Sequence, residues 1–216
     1  MGGGGGGGFQ GRGGAGAAAL QNVGGVGGSL VAVPTIVRGG CAGGNSGQQR
    51  IAYGGLGGGA IQLTAQTSLT MSGVITVGGG GGEAGSEPTT PYEGGGGGGA
   101  GGFVGLEATT IALNSGTIAA NGGGGSALAL PTNTLQNGID GQPTTSPAPG
   151  GKPGNPCTPQ GGVGAAGATH DGSTPMTSSQ CAGAGGGGGV GYILMFSNHI
   201  TPMTTALSPQ AIVNPY

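Results

Sequence analysis

The residues of this 216-residue chain that could do chemistry are few and scattered. The acids are Glu83, Glu87, Glu93, Glu107, Asp140 and Asp171, and the bases are Arg12, Arg38, Arg50 and Lys152. The remaining candidates are His170, His199, Cys41, Cys157 and Cys181. Zinc sites usually draw on close ligand pairs such as Cys-x2-4-Cys; Cys157, His170, Cys181 and His199 include none, so no metal site is expected. Gly150-Gly151-Lys152 ends like a phosphate-binding loop, but Pro153 follows where Ser or Thr is needed and Ser146 stands in place of the first glycine. The carboxylates are dispersed, mostly through loop-like sequence, and read as solvated charge rather than as an acid–base pair. A Ser-His-Asp site would need a nucleophile elbow, which is missing. So are the aspartate-bearing calcium nonapeptide and any N-glycosylation sequon. The chain is therefore not expected to be an enzyme, with no catalytic residue and no cofactor.

Composition points the same way. Glycine accounts for 63 residues, charged residues for 5%, and the net charge is −2. Nucleic-acid binding needs a clustered basic footprint, and four separated bases do not make one. No apolar run approaches the roughly 18–20 residues of a membrane span. Low apolar content usually accompanies high charge in disordered chains; here the charge is absent. The composition permits two outcomes, a flexible low-complexity chain or an ordered lattice packed through its backbone, since only glycine allows segments so close together.

The arrangement of the glycines favours order. One unit runs Gly57-Gly58-Gly59-Ala60-Ile61-Gln62-Leu63-Thr64-Ala65 and continues through Ser72-Gly73-Val74-Ile75 to Gly78–Gly82. A second runs Gly101-Gly102-Phe103-Val104-Gly105-Leu106-Glu107-Ala108 through Ser115-Gly116-Thr117-Ile118 to Asn121-Gly122. Leu63 aligns with Leu106 and Gly73 with Gly116, a spacing of 43. Ile61/Leu63/Ala65 and Val104/Leu106/Ala108 alternate with the period of two that strands require. Each unit reads strand, turn, strand, Ser-Gly turn, strand, glycine run. Degenerate copies begin at Leu30-Val31-Ala32-Val33 and at Val190-Gly191-Tyr192-Ile193-Leu194-Met195-Phe196. The expected architecture is an all-β single domain over 1–216, β-solenoid or sandwich-like, in which short strands alternate with packed polyglycine of polyproline-II type. There is essentially no α-helix. The repeat-like units lie at about 24–40, 57–82, 101–125 and 185–200. Segments 86–93 and 131–180 are expected as surface loops, with turns at Asn137-Gly138, Asp140-Gly141 and Asp171-Gly172, and 201–216 as an extended tail.

The repeated Gly-Gly-Gly-Ala-Ile-x-Leu-x-Ala…Ser-Gly-x-Ile pattern resembles that of glycine-rich secreted or surface β-repeat proteins of myxobacterial type. More loosely, it is similar to phage tail-tip adhesins with polyglycine cores. The resemblance covers roughly 30–190 and implies an extracellular, non-catalytic protein; it transfers no site residues.

The functional expectation is a subunit that self-associates into a surface fibre or filament, a homopolymer grown by head-to-tail contacts. The candidate association strand is Val190, Tyr192, Ile193, Leu194, Met195 and Phe196, since unpaired strand edges are templates for another chain. The alternatives are a monomeric adhesin whose loops bind surface glycan, and an ice-binding protein using Thr64, Thr67, Thr70 and Thr76, although the second unit offers only Thr109, Thr110 and Thr117 for a matching row. Cys157 and Cys181 bracket a Gly/Pro/Ser/Thr-rich stretch suited to a disulfide, worth about 3 kcal/mol by loop closure and favouring an oxidising compartment. Cys41 is then free or links subunits. Non-reducing peptide mapping should recover Cys157 and Cys181 in one linked pair; two free thiols at these positions would remove the main argument for export.

Overall fold

The computed structural model describes residues 1–19, 22–46, 52–85, 94–127, 137–153, 159–176, 182–201 and 205–215. Among them there is no helix, and the regular elements are eight strands in parallel sheets. β1 (Ala60–Thr64), β3 (Phe103–Glu107), β5 (Tyr192–Phe196) and β8 (Ile212–Asn214) form sheet one, in that order. β2 (Ser68–Thr76), β4 (Thr110–Ala119), β6 (His199–Ile200) and β7 (Ala206–Ser208) form sheet two, where β6 and β7 both pair with β4. The chain lays one strand in each sheet and then departs through a glycine run. Successive layers are thus β1–β2, β3–β4 and β5 with β6/β7.

Register follows the repeat. Leu63 pairs with Leu106 and Gly73 with Gly116, the positions that the spacing of 43 aligns. Inward side chains Val104, Leu106, Ile111, Leu113, Ile118, Ile193 and Met195 form the buried core between the sheets. Leu113 and Ile118 are five apart, a separation that a regular strand would send to opposite faces. The register shift after Met71 resolves this. Asn114 is the extra residue, Ser115 pairs with Ser72, and inward parity is restored on the longer strand. Gly116 sits at φ 114° beside this bulge, where a Cβ would run into the Gly73 carbonyl. The Ser-Gly dipeptides expected as turns are therefore continuous strand, bent by a bulge rather than reversed.

Two other expectations are corrected. Residues 29–38 are not a strand. They make no sheet pairing, and Leu30, Val33, Ile36 and Val37 are exposed. The tail beyond 201 is more than an extended appendage, because it supplies β7 and β8. It is anchored by a buried polar network. The fully buried Asn121 donates through Nδ2 to the carbonyls of Gln142 (2.7 Å) and Thr144 (2.6 Å). Its Oδ1 accepts from the Ser208 hydroxyl (2.5 Å), whose oxygen accepts from the Gly167 amide (2.7 Å).

Outside the sheets, the glycine runs bond to one another with a three-residue rotation. Along 95–102 every N–H donates, at 2.7–3.0 Å. Residues 95, 98 and 101 donate to 183, 186 and 189; residues 96, 99 and 102 donate to 83, 80 and 77; residues 97 and 100 donate to 44 and 41. Carbonyls of the same run accept from 4 and 7, from 55 and 58, and from 123 and 126, giving six surrounding segments. Run 183–191 is enclosed in the same way by 1–7, 120–126, 170–173, 95–101, 11–17 and 162–165. Spacing this tight excludes side chains at most positions of these runs. A Cβ on Gly98 would overlap the Gly123 carbonyl, and one on Gly186 the Gly14 carbonyl, whereas one on Gly59 would meet nothing within 4 Å.

Gly98→Ala should therefore lower stability by about 1–3 kcal/mol, the usual penalty of overpacking, and Gly59→Ala should change it by less than about 0.5 kcal/mol. Urea midpoints of the two variants compared with the parent test this; equal midpoints would remove the close-packing account.

Candidate functional site

The strand expected to mediate association is an interior one. Val190, Tyr192, Ile193, Leu194 and Met195 are buried, and Phe196 is half-buried. β5 is paired along its whole length with β3 and over Leu194–Phe196 with β8, so it is not an edge strand. Its length and apolarity reflect a central position. Cys157 and Cys181 lie outside the described residues, as does the whole of 86–93. Cys41 carries a free, half-buried thiol in the run whose carbonyl accepts from Ala100. No group of three His, Cys, Asp or Glu that could hold a metal occurs among the described residues. Among the described residues no helix is long and apolar enough to cross a membrane.

Where it is described, the stretch 131–180 is surface loop only in part: 143–147 and 168–171 are exposed, but other segments join the glycine array. Gly138 donates to Gly82 and Gly141 to Gly79, with the same three-residue step. The supposed turn residues lie within this array and supply side-chain acceptors at its rim. Asn137 Oδ1 accepts from the Ala84 amide (2.9 Å), Asp140 Oδ1 from Gly81 (2.8 Å) and Asp171 Oδ1 from Arg12 (2.7 Å). Asn45 Oδ1 does the same for Gly54 (2.8 Å). These residues stand where no neighbouring carbonyl reaches the N–H, so two carboxylates expected as solvated charge are backbone caps. For Asn137, Asp140 and Asp171 the available signal was an Asn or Asp placed immediately before a glycine; Asn45 precedes Ser46 and carried no such mark.

The threonines within the strands do not line up across the layers. Thr64 pairs with Glu107, Thr70 with Ala112 and Thr76 with Ala119, so no threonine of β1 or β2 sits beside another on β3 or β4.

The open surface with a defined geometry is the first layer. β1 pairs only with β3 and β2 only with β4, leaving one edge of each without a partner among the described residues. Behind those edges the core is uncovered. Ile61, Leu69 and Ile75 are only partly buried and Leu63 is 37% exposed, whereas Val104, Leu106, Ile111 and Ile118 one layer deeper are fully enclosed. The whole span 54–82 contains no Lys, Arg, Asp, Glu or Pro. Those residues are the usual means of blunting an exposed edge.

On the outer face of sheet one, Phe9, Ala100, Phe103, Tyr192 and Leu194 make a second apolar cluster. Phe9 meets Tyr192 edge to face, with ring centroids 5.1 Å apart, and the Tyr192 hydroxyl donates to the Val31 carbonyl at 2.7 Å. No protein-family model, curated protein or solved structure matches the chain.

Burial pushes the Tyr192 phenol above its ordinary value of 10. The unfolded chain then loses this proton first as pH rises. Any stability linked to it is intact below pH 10 and is lost as pH climbs through the raised folded value. Absorbance titration should show one of the four tyrosines ionising after the rest, and Tyr192→Phe should delete that late step. A late step that survives the substitution would assign it elsewhere.

Proposed function

We propose that this chain is a non-enzymatic extracellular structural protein whose copies associate edge to edge through β1 and β2. The observation that carries the reading is the open, charge-free first layer. Stacked repeats ordinarily end in a polar cap, and here the last apolar layer meets solvent with its strand edges unpaired.

The layers are read as turns of a β-solenoid and the glycine runs as polyproline-II-like rods. Such rods have three residues per turn and no internal hydrogen bonds, which leaves every amide available to a neighbour. The three-way rotation of N–H partners supports this, as does the outward placement of every third residue on outer runs. Val23 and Val26 are 88% and 91% exposed, and Tyr53 and Leu56 are 54% and 78% exposed.

The strand count favours a head-to-head contact over a head-to-tail one. Sheet one is four strands deep, while β6 and β7 share one position, so sheet two is three positions deep. A head-to-tail copy that met one sheet would stand one strand spacing, about 4.8 Å, from the other. A two-fold contact sets β1 against its equivalent and β2 against its equivalent, matching lengths of five and nine residues. A fibre or layer then extends through the outer glycine runs that carry Val23, Val26 and Leu56.

Light scattering coupled to size exclusion should report a dimer for the parent chain. Thr70→Lys with Val74→Lys, both exposed on β2, should give a monomer of unchanged thermal stability. A parent that stays monomeric across the accessible concentration range would sink the reading.

A further inference from the structure

A second site lies on the outer face of sheet one. Residues 32–37 form a flap over the outer face of sheet one, and both of its ends are tied near Phe9. The Val31 amide donates to the Phe9 carbonyl at 2.8 Å, and the Arg38 guanidinium lies 5.6 Å from the Phe9 ring centroid. Between these ties the flap makes no hydrogen bond to the described residues. Beneath it is a slot of about 460 Å³, within the usual range of small-molecule sites. Val33, Ile36 and Val37 line it from the flap, and Phe103, Leu194 and Phe196 from the sheet.

Two features give the slot a polarity. At one end Gly105 lies between Gln62 and Leu194 in register, and the Phe103 ring packs over it so closely that a Cβ there would come within 3.0 Å of the ring; this end of the slot is apolar. Two residues further along the strand, Glu107 is the one charged residue in the lining. Its Oε2 accepts from the Thr64 hydroxyl at 3.3 Å and from Gln62 Nε2 at 3.4 Å, both long contacts, and it makes no ion pair with a described residue. An apolar slot with one carboxylate toward its end, served only by weak neutral donors, is complementary to an apolar body that ends in a cation.

We propose that the slot between residues 32–37 and sheet one binds a small amphipathic cation, its hydrocarbon part against Phe103, Leu194 and Phe196 and its ammonium group on Glu107. The site requires no second copy of the chain, although Gln62 of the edge strand β1 contributes to its lining.

Calorimetric titration with n-octylammonium and n-octanoate at neutral pH tests it, since the two probes share a chain and differ in charge. Octylammonium should bind at least about fivefold more tightly, the worth of roughly 1 kcal/mol for a partly exposed ion pair. Glu107→Gln should bring the cation down to the anion. Ile36→Ser, on the exposed flap, should weaken both probes together without disturbing the core. No detectable octylammonium binding, equal binding of the two probes, or a preference that survives Glu107→Gln would each overturn the proposal.

Discussion

The structure depends on one interaction, the amide-to-carbonyl hydrogen bond made between glycine segments in three directions in turn. Each ordered glycine loses more backbone freedom than any other residue, about 0.5–1 kcal/mol relative to alanine in regular structure. Sixty-three of them would oppose folding if their amides were left to water. Along 95–102 and 183–191 the offset is complete or nearly so, because almost every N–H and C=O meets a neighbouring run. This explains why the chain folds with so few large side chains. The backbone itself is the packed material, and a methyl group in the wrong place is an obstruction.

The sheets and the array constrain one another. The first strand of layers two and three is entered from an enclosed glycine run, 94–102 before β3 and 183–191 before β5. Those runs are themselves bonded at 95–183, 98–186 and 101–189, the same pairing that then continues as β3 with β5. The register of the hydrophobic core is therefore inherited from the array. Where the array reaches its boundary, the pattern relaxes in a regular way. Run 22–28 donates only from Asn22, Gly25 and Gly28, and its valines face outward. At other rims Asp140, Asp171, Asn137 and Asn45 supply the oxygen that a neighbour would have given.

This division separates the surfaces available for function. The interior of the array presents backbone that is satisfied or capped, while outer runs such as 22–28 bond only at every third residue. Layer one presents strand edges and an uncovered core, and the outer face of sheet one presents a loosely roofed apolar slot. Charge is nearly absent from all of them, so contact at these surfaces is decided by shape, edge pairing and a few single charges such as Glu107.

The sequence by itself determined the all-β class, the alternation of strands with glycine runs and the 43-residue register, because period-two patterns and a repeated Gly-rich frame are local properties. It did not reveal the bulge at Asn114, although the odd five-residue gap between Leu113 and Ile118 was its trace. It placed association on 190–196 because apolarity marks burial and exposed stickiness alike; only the sheet order, with β5 between β3 and β8, separates the two. Leu30–Val33 has the same local character as β5, yet no neighbouring strand is there to pair with it. The Asn-Gly and Asp-Gly dipeptides read as turns, and whether such an oxygen caps a distant amide depends on a segment up to 159 residues away. The local alphabet of this chain is small, so tertiary structure decided which of many similar segments became interior, rim or open edge.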